Sequence, residues 1–147
     1  MTGLQAADAL GEPPHLVLKT LMLQVEGGPV CVLVPSDCAV SMNKVAAALG
    51  CKTAKIMAPA DVEHQTGYRV GAVSPFDQKH KIATIIQAEV LSASYVYVSG
   101  AWQGVELRLN PEAAQRATGA AVAMVGFRRE GARRPSVNES TVAEGRD

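Results

Sequence analysis

The chain has 147 residues, of which 48% are apolar, and this length accommodates one compact domain with a sizeable core but not two. Its 14 Lys and Arg balance its 14 Asp and Glu, which excludes a general polyanion-binding surface. No apolar run approaches the length of a membrane span and the first residues do not read as a signal peptide, so we expect a cytoplasmic protein with no membrane partner.

The first half of the chain predicts a helix, a hairpin and a second helix. Apolar residues at helical spacing predict an opening helix over Leu4–Leu10. Two continuous apolar segments, His15–Glu26 and Val30–Val34, are joined by adjacent glycines and predict a β-hairpin. Ser41 is placed to cap a helix that ends at Gly50, and a strand over Ala54–Met57 follows.

The second half predicts mainly strands. A helix from Pro59 to Gly67 is followed by a strand over Tyr68–Val73, a polar loop over Ser74–Lys81 and a strand over Ile82–Ile86. Ser94–Ser99 and Val105–Leu109 predict a second hairpin across Gly100–Gly104. Asn110 and Pro111 begin a last helix that stops at Gly119, and Ala120–Val125 predicts a final strand.

These elements indicate one domain over residues 1–126, with a curled, mostly antiparallel sheet and short helices packed outside it. Residues 127–147 are rich in Arg, Glu, Gly and Ser, and we expect a disordered tail. The three cysteines form no C-x-x-C pair, and the three histidines stand far apart. Neither a disulfide framework nor a metal site or cofactor is therefore expected.

Lys19 shares one face of the first strand with Val17, Leu21 and Leu23. Two interpretations remain open for a charge on an apolar face. It is an edge-strand lysine that discourages aggregation, or it is a cation directed into a cleft, where partial desolvation strengthens its attraction for a phosphate or a carbonyl.

The segment from Gly67 to Pro75 is the second candidate site. Gly71 has no side chain to obstruct its N–H, which could bind a carbonyl oxygen, and Ala72 and Ser74 follow it closely. Ser74 has no G-x-S-x-G elbow and no evident base, so a turn hydroxyl is the simpler interpretation.

Two further segments are candidates for nucleic-acid contact. The hairpin turn after Ser99 and Gly100 contains Trp102, which either covers the sheet edge or stacks on a nucleobase. The stretch of Lys79, His80 and Lys81 is either solvated or binds phosphates.

Five segments in order carry a resemblance to a known family: Lys19-Thr20-Leu21, Ala47-Ala48-Leu49-Gly50, Thr66-Gly67-Tyr68-x-x-Gly71-x-x-Ser74-Pro75, Gln78-Lys79 and Tyr97-Val98-Ser99-Gly100. The chain resembles the YbaK family of trans-editing proteins, relatives of the editing domain of bacterial prolyl-tRNA synthetase. The resemblance implies a mixed α/β domain with a barrel-like sheet. It also implies hydrolysis of the ester between a wrong amino acid, cysteine or alanine, and proline tRNA.

The resemblance also implies roles for individual residues. Lys19 matches the essential lysine, which holds the aminoacyl end of the tRNA and which we therefore assign as the catalytic residue. Gly71, Ser99 and Gly100 match the positions that shape the amino-acid pocket, and Ala72 and Ser74 adjoin them. The stretch from Ser74 to Lys79 is similar to the cysteine-specific branch, in which the cysteinyl thiol attacks its own ester. Lys79, His80, Lys81 and Trp102 are the expected tRNA contacts.

Departures from the family pattern keep a second function open. Ala101, Trp102 and Gln103 stand where relatives have a glycine and two basic residues, and Asp77 replaces a glycine. Residues 1–126 hold nine Lys and Arg against ten Asp and Glu, which predicts weak tRNA binding unless a prolyl-tRNA synthetase delivers it. The alternatives are a catalytically silent module that binds a synthetase, tRNA or small ligand, and a deacylase for another mischarged tRNA. Relatives have further structure before the opening helix, so a homodimer is a third expectation.

Overall fold

The structure, a computed structural model, describes residues 2–69, 73–76, 78, 80–100 and 104–128. This part of the chain contains four α-helices: α1 (Gly3–Leu10), α2 (Met42–Leu49), α3 (Pro59–Thr66) and α4 (Pro111–Thr118). Its nine strands are β1 (Leu18–Val25), β2 (Gly28–Pro35), β3 (Ala39–Val40), β4 (Ala54–Ile56), β5 (Ala83–Gln87), β6 (Val96–Ser99), β7 (Glu106–Leu109), β8 (Ala121–Ala123) and β9 (Gly126–Phe127). None of the helices in these ranges has the length and apolar character that a membrane crossing requires.

The predicted opening helix is confirmed and begins with a reciprocal cap. The Gln5 N–H donates to the Thr2 hydroxyl over 3.1 Å, and the Thr2 N–H donates to the Gln5 side chain over 2.7 Å. The helix ends at Gly11, whose φ of +69° is a left-handed conformation that glycine adopts without strain. The N-terminal end of α1 is thereby fixed in direction, which matters for the site below.

Five strands form the central sheet, in the order β4-β1-β2-β5-β8. The predicted hairpin of β1 and β2 is confirmed, with Lys19 opposite Val34, although β1 begins at Leu18 because Pro14–Leu16 form a 3₁₀ turn. β2–β5 and β5–β8 are parallel, whereas the remaining four pairings among the described strands are antiparallel. The mixed α/β class and the mostly antiparallel sheet are confirmed, and its curling into a barrel stays a prediction.

Apolar side chains pack on both faces of this sheet. On one face Leu23, Val32 and Ile85 pack with Val45 of α2. On the other face Met22 and Cys31 pack with Met57 and with Val62 of α3, and a further group centred on Leu33 and Ile86 reaches the β6–β7 hairpin. Alternating side chains of β1 and β2 therefore serve two cores, which holds β1 rigidly between them.

The strand predicted over Tyr68–Val73 is wrong where the structure describes it. Tyr68 and Arg69 follow the end of α3 as a turn, in which the Tyr68 N–H donates to the Thr66 hydroxyl over 3.0 Å. The Tyr68 hydroxyl donates to the Phe76 carbonyl over 2.5 Å. These local bonds satisfy the polar groups of Tyr68 without a neighbouring strand.

The described fold continues two residues beyond the boundary predicted at residue 126. Phe127 lies in β9, which pairs with β3, and Arg128 forms ion pairs with Asp37 at 2.9 Å and Glu89 at 3.0 Å. The buried Gln87 side chain accepts hydrogen bonds of 2.8 Å from the N–H groups of both Val125 and Gly126. Residues 129–147, the rest of the predicted tail, lie outside the described residues.

Replacing Gln87 with methionine, which is similar in shape, is expected to lower the free energy of unfolding by at least about 2 kcal/mol, because two buried N–H groups lose their acceptor. Chemical denaturation of the purified variant measures this loss. Gln65→Met, at a half-buried position on α3, is the matched control and should change the value little. Equal stability of Gln87→Met and the parent would contradict the assigned role of Gln87.

Candidate active site

A cavity of about 570 Å³ opens beside β1, where β4 stops pairing with it. β4 pairs only with Leu23–Val25, and at the other end of β1 Val17 bridges to Tyr97 of β6. The polar residues of the wall are Thr2, Lys19, Thr20, Ser36, Ser99 and Glu106. The larger apolar residues of the wall are Leu4, Leu18, Leu21, Met22, Ile56, Met57, Pro59, Val62 and Val73.

Lys19 lines this cavity and is half-buried. It lies in the half of β1 that β4 leaves unpaired, and its register opposite Val34 is fixed by the hairpin. This position borders both the cavity and the open edge of β1, so the cation directed into a cleft and the lysine protecting a sheet edge both stay predictions. A partly desolvated ammonium attracts an anion more strongly than one in bulk water does.

Two polar atoms in the wall lack hydrogen-bond partners. Among the described residues, Thr20 Oγ1 and Glu106 Oε1 are the buried side-chain oxygens or nitrogens without one. Burial also raises the pKa of Glu106, because the carboxylate loses hydration. An unpaired buried oxygen costs about 1–3 kcal/mol, so both atoms are suited to bind polar groups of a ligand.

The β6–β7 hairpin brings Ser99 and Glu106 side by side. They are directly opposite each other in the register, on the same face of the hairpin as Tyr97 and Arg108. Ser99 is thus the second predicted pocket residue that the structure brings to the cavity. Gly100 lies just behind, where a Cβ would stand 2.8 Å from Val105 Cγ1, so its role is close packing of the turn.

The N-terminal end of α1 forms another part of the wall. Gly3 and Leu4 line the cavity, and an added Cβ on Gly3 would collide with the Ser36 hydroxyl. That hydroxyl in turn donates to the Val17 carbonyl, which ties the end of β2 to the start of β1. Only a glycine lets the helix approach this seam so closely.

Glu12 braces α1 against the hairpin that carries Ser99 and Glu106. The Tyr97 hydroxyl donates to the Glu12 carboxylate over 3.0 Å, and the Tyr95 hydroxyl donates to it over 3.2 Å. The two rings meet edge to face at 6.0 Å, and the Arg108 guanidinium lies 4.0 Å from the Tyr95 ring centroid. Burial, reinforced by the hydrogen bond to Glu12, raises the pKa of Tyr97. One carboxylate thus couples two walls of the cavity.

The remaining predicted site residues are not among those that line the cavity. Ser74 is buried, and its hydroxyl accepts the Phe76 N–H over 3.2 Å, which agrees with a turn hydroxyl rather than a nucleophile. His80 and Lys81 are exposed. Gly71, Ala72, Lys79 and Trp102 lie outside the described residues, so their predicted roles are carried forward as predictions.

Two of the cysteines, Cys31 and Cys38, are buried and do not supply a reactive nucleophile. Burial raises the pKa of the Cys31 and Cys38 thiols to about 12, so both are protonated at neutral pH. For Cys38 this holds although the charges of Arg128 and Lys19 act in the opposite direction. The described residues also contain no cluster of three His, Cys, Asp or Glu side chains able to hold a metal ion.

Sequence reasoning missed Thr20, Ser36 and Glu106. Thr20 interrupts an apolar strand next to Lys19, and this polar pair is a signal that the sequence contains. Glu106 is recognisable only once the hairpin register sets it opposite Ser99. Ser36 enters the site through its contact with a helix that is distant in sequence, and no local pattern predicts that contact.

Replacing Glu12 with alanine should loosen the β6–β7 hairpin, since two tyrosine hydroxyls lose their charged acceptor. Hydrogen exchange followed by mass spectrometry is expected to show faster exchange in β6, β7 and α1, with β2 and β5 unchanged. Glu12→Gln, which keeps an acceptor, should restore part of the protection. Unaltered hydrogen exchange of the hairpin in Glu12→Ala would show that Glu12 does not stabilise the contact between α1 and the hairpin.

The comparison with protein families matches residues 1–117 to the aminoacyl-tRNA editing domain. A protein of Enterococcus faecalis that carries the name Cys-tRNA(Pro)/Cys-tRNA(Cys) deacylase EbsC is 32% identical over 108 residues. That match covers 73% of this chain and 66% of the relative, so this chain spans just under two thirds of the relative's length.

Solved structures match the fold over most of the chain. One, described as a trans-editing enzyme for prolyl tRNA synthetase, has a TM-score of 0.78 and 25% identity, and the match covers 84% of this chain and 78% of that one. Another, described as a hypothetical protein, has a TM-score of 0.79 and 30% identity, and the match covers 85% of this chain and 83% of that one.

Proposed function

The chain belongs to the aminoacyl-tRNA editing domain family, and we propose that it hydrolyses the ester joining a wrong amino acid to proline tRNA, with cysteine as the amino acid removed. The resemblance to YbaK trans-editing proteins found in the sequence is confirmed by the family match. The substrate is supported by the relative that carries the name of a Cys-tRNA(Pro) deacylase and by the structural match described as a trans-editing enzyme for prolyl tRNA synthetase.

One observation supports this function most directly: the cavity is lined by the Lys19 cation and by two buried polar atoms that have no hydrogen-bond partner among the described residues. An aminoacyl ester carries a positively charged α-ammonium group and a polar carbonyl. Glu106 Oε1 accepts a hydrogen bond from the ammonium, and the Thr20 hydroxyl bonds to a neighbouring polar atom of the ester. Lys19 stabilises negative charge on the carbonyl oxygen or the adjoining phosphate.

The nucleophile comes from the substrate. The buried thiols of Cys31 and Cys38 are protonated and Ser74 is engaged in a turn, and in this proposal the cysteinyl thiol is the attacking group. Its sulfur forms a bond to its own ester carbonyl carbon, the carbon–oxygen bond to the ribose breaks, and the thiol proton passes to the released ribose hydroxyl. Water then opens the cyclic thioester to free cysteine. The protein contributes position and charge stabilisation.

The predicted tRNA contacts at Lys79, His80, Lys81 and Trp102 and the pocket roles of Gly71 and Ala72 belong to the same proposal. The roles of Ser74 and Gly100 in it are indirect, because both residues lie outside the cavity lining. Because residues 1–126 have slightly more acidic than basic side chains, binding of tRNA depends on delivery by a prolyl-tRNA synthetase. This activity belongs in the cytoplasm, where aminoacyl-tRNA is made. The homodimer stays a prediction that sedimentation at high concentration tests.

Purified protein is expected to release cysteine from Cys-tRNA(Pro) faster than alanine from Ala-tRNA(Pro), and to leave Pro-tRNA(Pro) intact. Lys19→Met should lower the rate of cysteine release by about 10²-fold, because the cation that positions the ester is lost. Lys52→Met, at an exposed position outside the cavity lining, is the matched control. Release of labelled amino acid, with and without prolyl-tRNA synthetase, measures both effects.

Two outcomes of this assay would contradict the proposal. Equal rates of cysteine release by Lys19→Met and the parent would show that Lys19 has no role in the reaction. Binding to the synthetase or tRNA without hydrolysis of any ester would favour the catalytically silent module, the second function that the sequence leaves open.

The role of Glu106 predicts a change in the pH profile. Its pKa is raised by burial, so it loses its charge at a higher pH than an ordinary glutamate does as the solution is acidified. Glu106→Gln should raise KM at neutral pH. The ratio of parent to variant kcat/KM should then fall towards one as the pH drops through the raised pKa. A ratio that stays constant across the acid range would show that the Glu106 charge does not contact the substrate.

A further inference from the structure

The apolar end of the cavity forms a shelf that the chemistry above does not use. Ile56 of β4 and Pro59 of α3 are exposed there, and Ile56 leaves 60% of its surface free. Met22, Met57 and Val62 form the buried floor, with 5%, 4% and 8% exposure. We call Met22, Ile56, Met57, Pro59 and Val62 the apolar shelf. Together these residues give the cavity a continuous apolar surface that a ligand can cover.

The segment from Ile56 to Val62 contributes only apolar residues to the described lining of the cavity. Lys19, Ser36, Ser99 and Glu106 lie on the unpaired half of β1, the end of β2 and the β6–β7 hairpin, whereas the shelf lies on β4 and α3 and continues to Met22. The cavity of about 570 Å³ is within the range of pockets for whole small molecules. When the polar wall binds the cysteinyl ester, the shelf therefore remains available to another part of the same substrate.

The shelf favours a neutral, flat group over a charged one. Its five residues carry no charge, and the start of α3 adds the acidic Asp61, which repels phosphate. Pro59 has no N–H to donate, and the residue before it, Ala58, supplies no side-chain cap. Two methionine sulfurs on the floor are suited to contact the edge of an aromatic ring.

We propose that the apolar shelf binds the adenine base of the terminal nucleotide of aminoacyl-tRNA. This inference rests on the proposed function for the identity of the substrate. The adenosine ribose lies between the base and the aminoacyl ester, so the base on the shelf and the ester beside Lys19 belong to one continuous ligand. The base packs its face on Ile56 and Pro59 and buries apolar surface there.

Adenosine monophosphate is the probe that tests the shelf without any turnover. With ¹³C-labelled methyl groups, titration should shift the resonances of Ile56, Met57 and Met22 and leave those of Val122 and Met124 unchanged. Ile56→Asp should weaken binding about tenfold or more. Val122→Asp, a substitution at a 47% exposed valine of β8, is the matched control and should bind like the parent. Ile56→Ser repeats the test without adding a charge.

Kinetics distinguish the base from the amino-acid side chain as occupant. For Cys-tRNA(Pro), Ile56→Asp should raise KM with kcat little changed, while hydrolysis of cysteine methyl ester, which has no base, should be unaffected. An equal effect on both esters would assign the shelf to the amino-acid side chain and overturn the proposal. So would shifts confined to other methyl groups, or an absence of nucleotide binding in a protein that deacylates tRNA.

Failure of the proposed function gives a different result. Adenosine monophosphate that binds at the shelf, in a protein that hydrolyses none of the tested esters, would support the shelf and reject the deacylase. A protein that neither binds adenosine monophosphate nor hydrolyses any tested ester would reject both the shelf proposal and the deacylase.

Discussion

Incomplete pairing of β1 is the constraint on which the candidate site depends. β2 pairs with β1 along its whole length, but on the other side β4 reaches only Leu23–Val25 among the described residues. The two-residue turn of the hairpin sets which residues of β1 form backbone hydrogen bonds with β2. The backbone N–H and C=O groups of Leu18, Thr20 and Met22 point away from β2, towards the side of β4. The Met57 N–H donates to the Met22 carbonyl over 3.1 Å. Beyond that bond, no described strand pairs with this side of β1, and β1 borders the cavity instead.

A cavity with unpaired polar atoms is destabilising, and the fold offsets this cost at a distance. Thr20 Oγ1 and Glu106 Oε1 together forgo about 2–6 kcal/mol of hydrogen bonding in the described structure. Around them, Glu12 accepts hydrogen bonds from two tyrosine hydroxyls, and Gln87 accepts one from the backbone just before β9. Two hydrophobic cores pack on opposite faces of β1. Groups left unpaired within a rigid frame are preorganised for a ligand, because they need not move to meet it.

Local patterns in the sequence predicted most of the helices and strands and placed Lys19 on the first strand. Adjacent glycines at Gly27-Gly28 indicated the first hairpin, and Asn110 indicated the start of α4. Contacts between distant segments were not predictable in the same way. Gly3 meets Ser36 across the chain, Glu106 enters the site only through its register with Ser99, and Arg128 pairs with Asp37 and Glu89 in a segment whose composition indicates disorder. The strand predicted at Tyr68 failed because its polar groups are satisfied locally, through Thr66 and Phe76.

When the substrate supplies the nucleophile, as in the proposed chemistry, the substrate itself adds to the selectivity of the reaction. Discrimination by pocket shape alone is weak, since one methylene changes binding by only about 1–3 kcal/mol. Under the proposed chemistry, an amino acid without a thiol can occupy the cavity and still not react, because it brings no attacking group. Proline itself carries no attacking group, so correctly charged tRNA survives contact with Lys19.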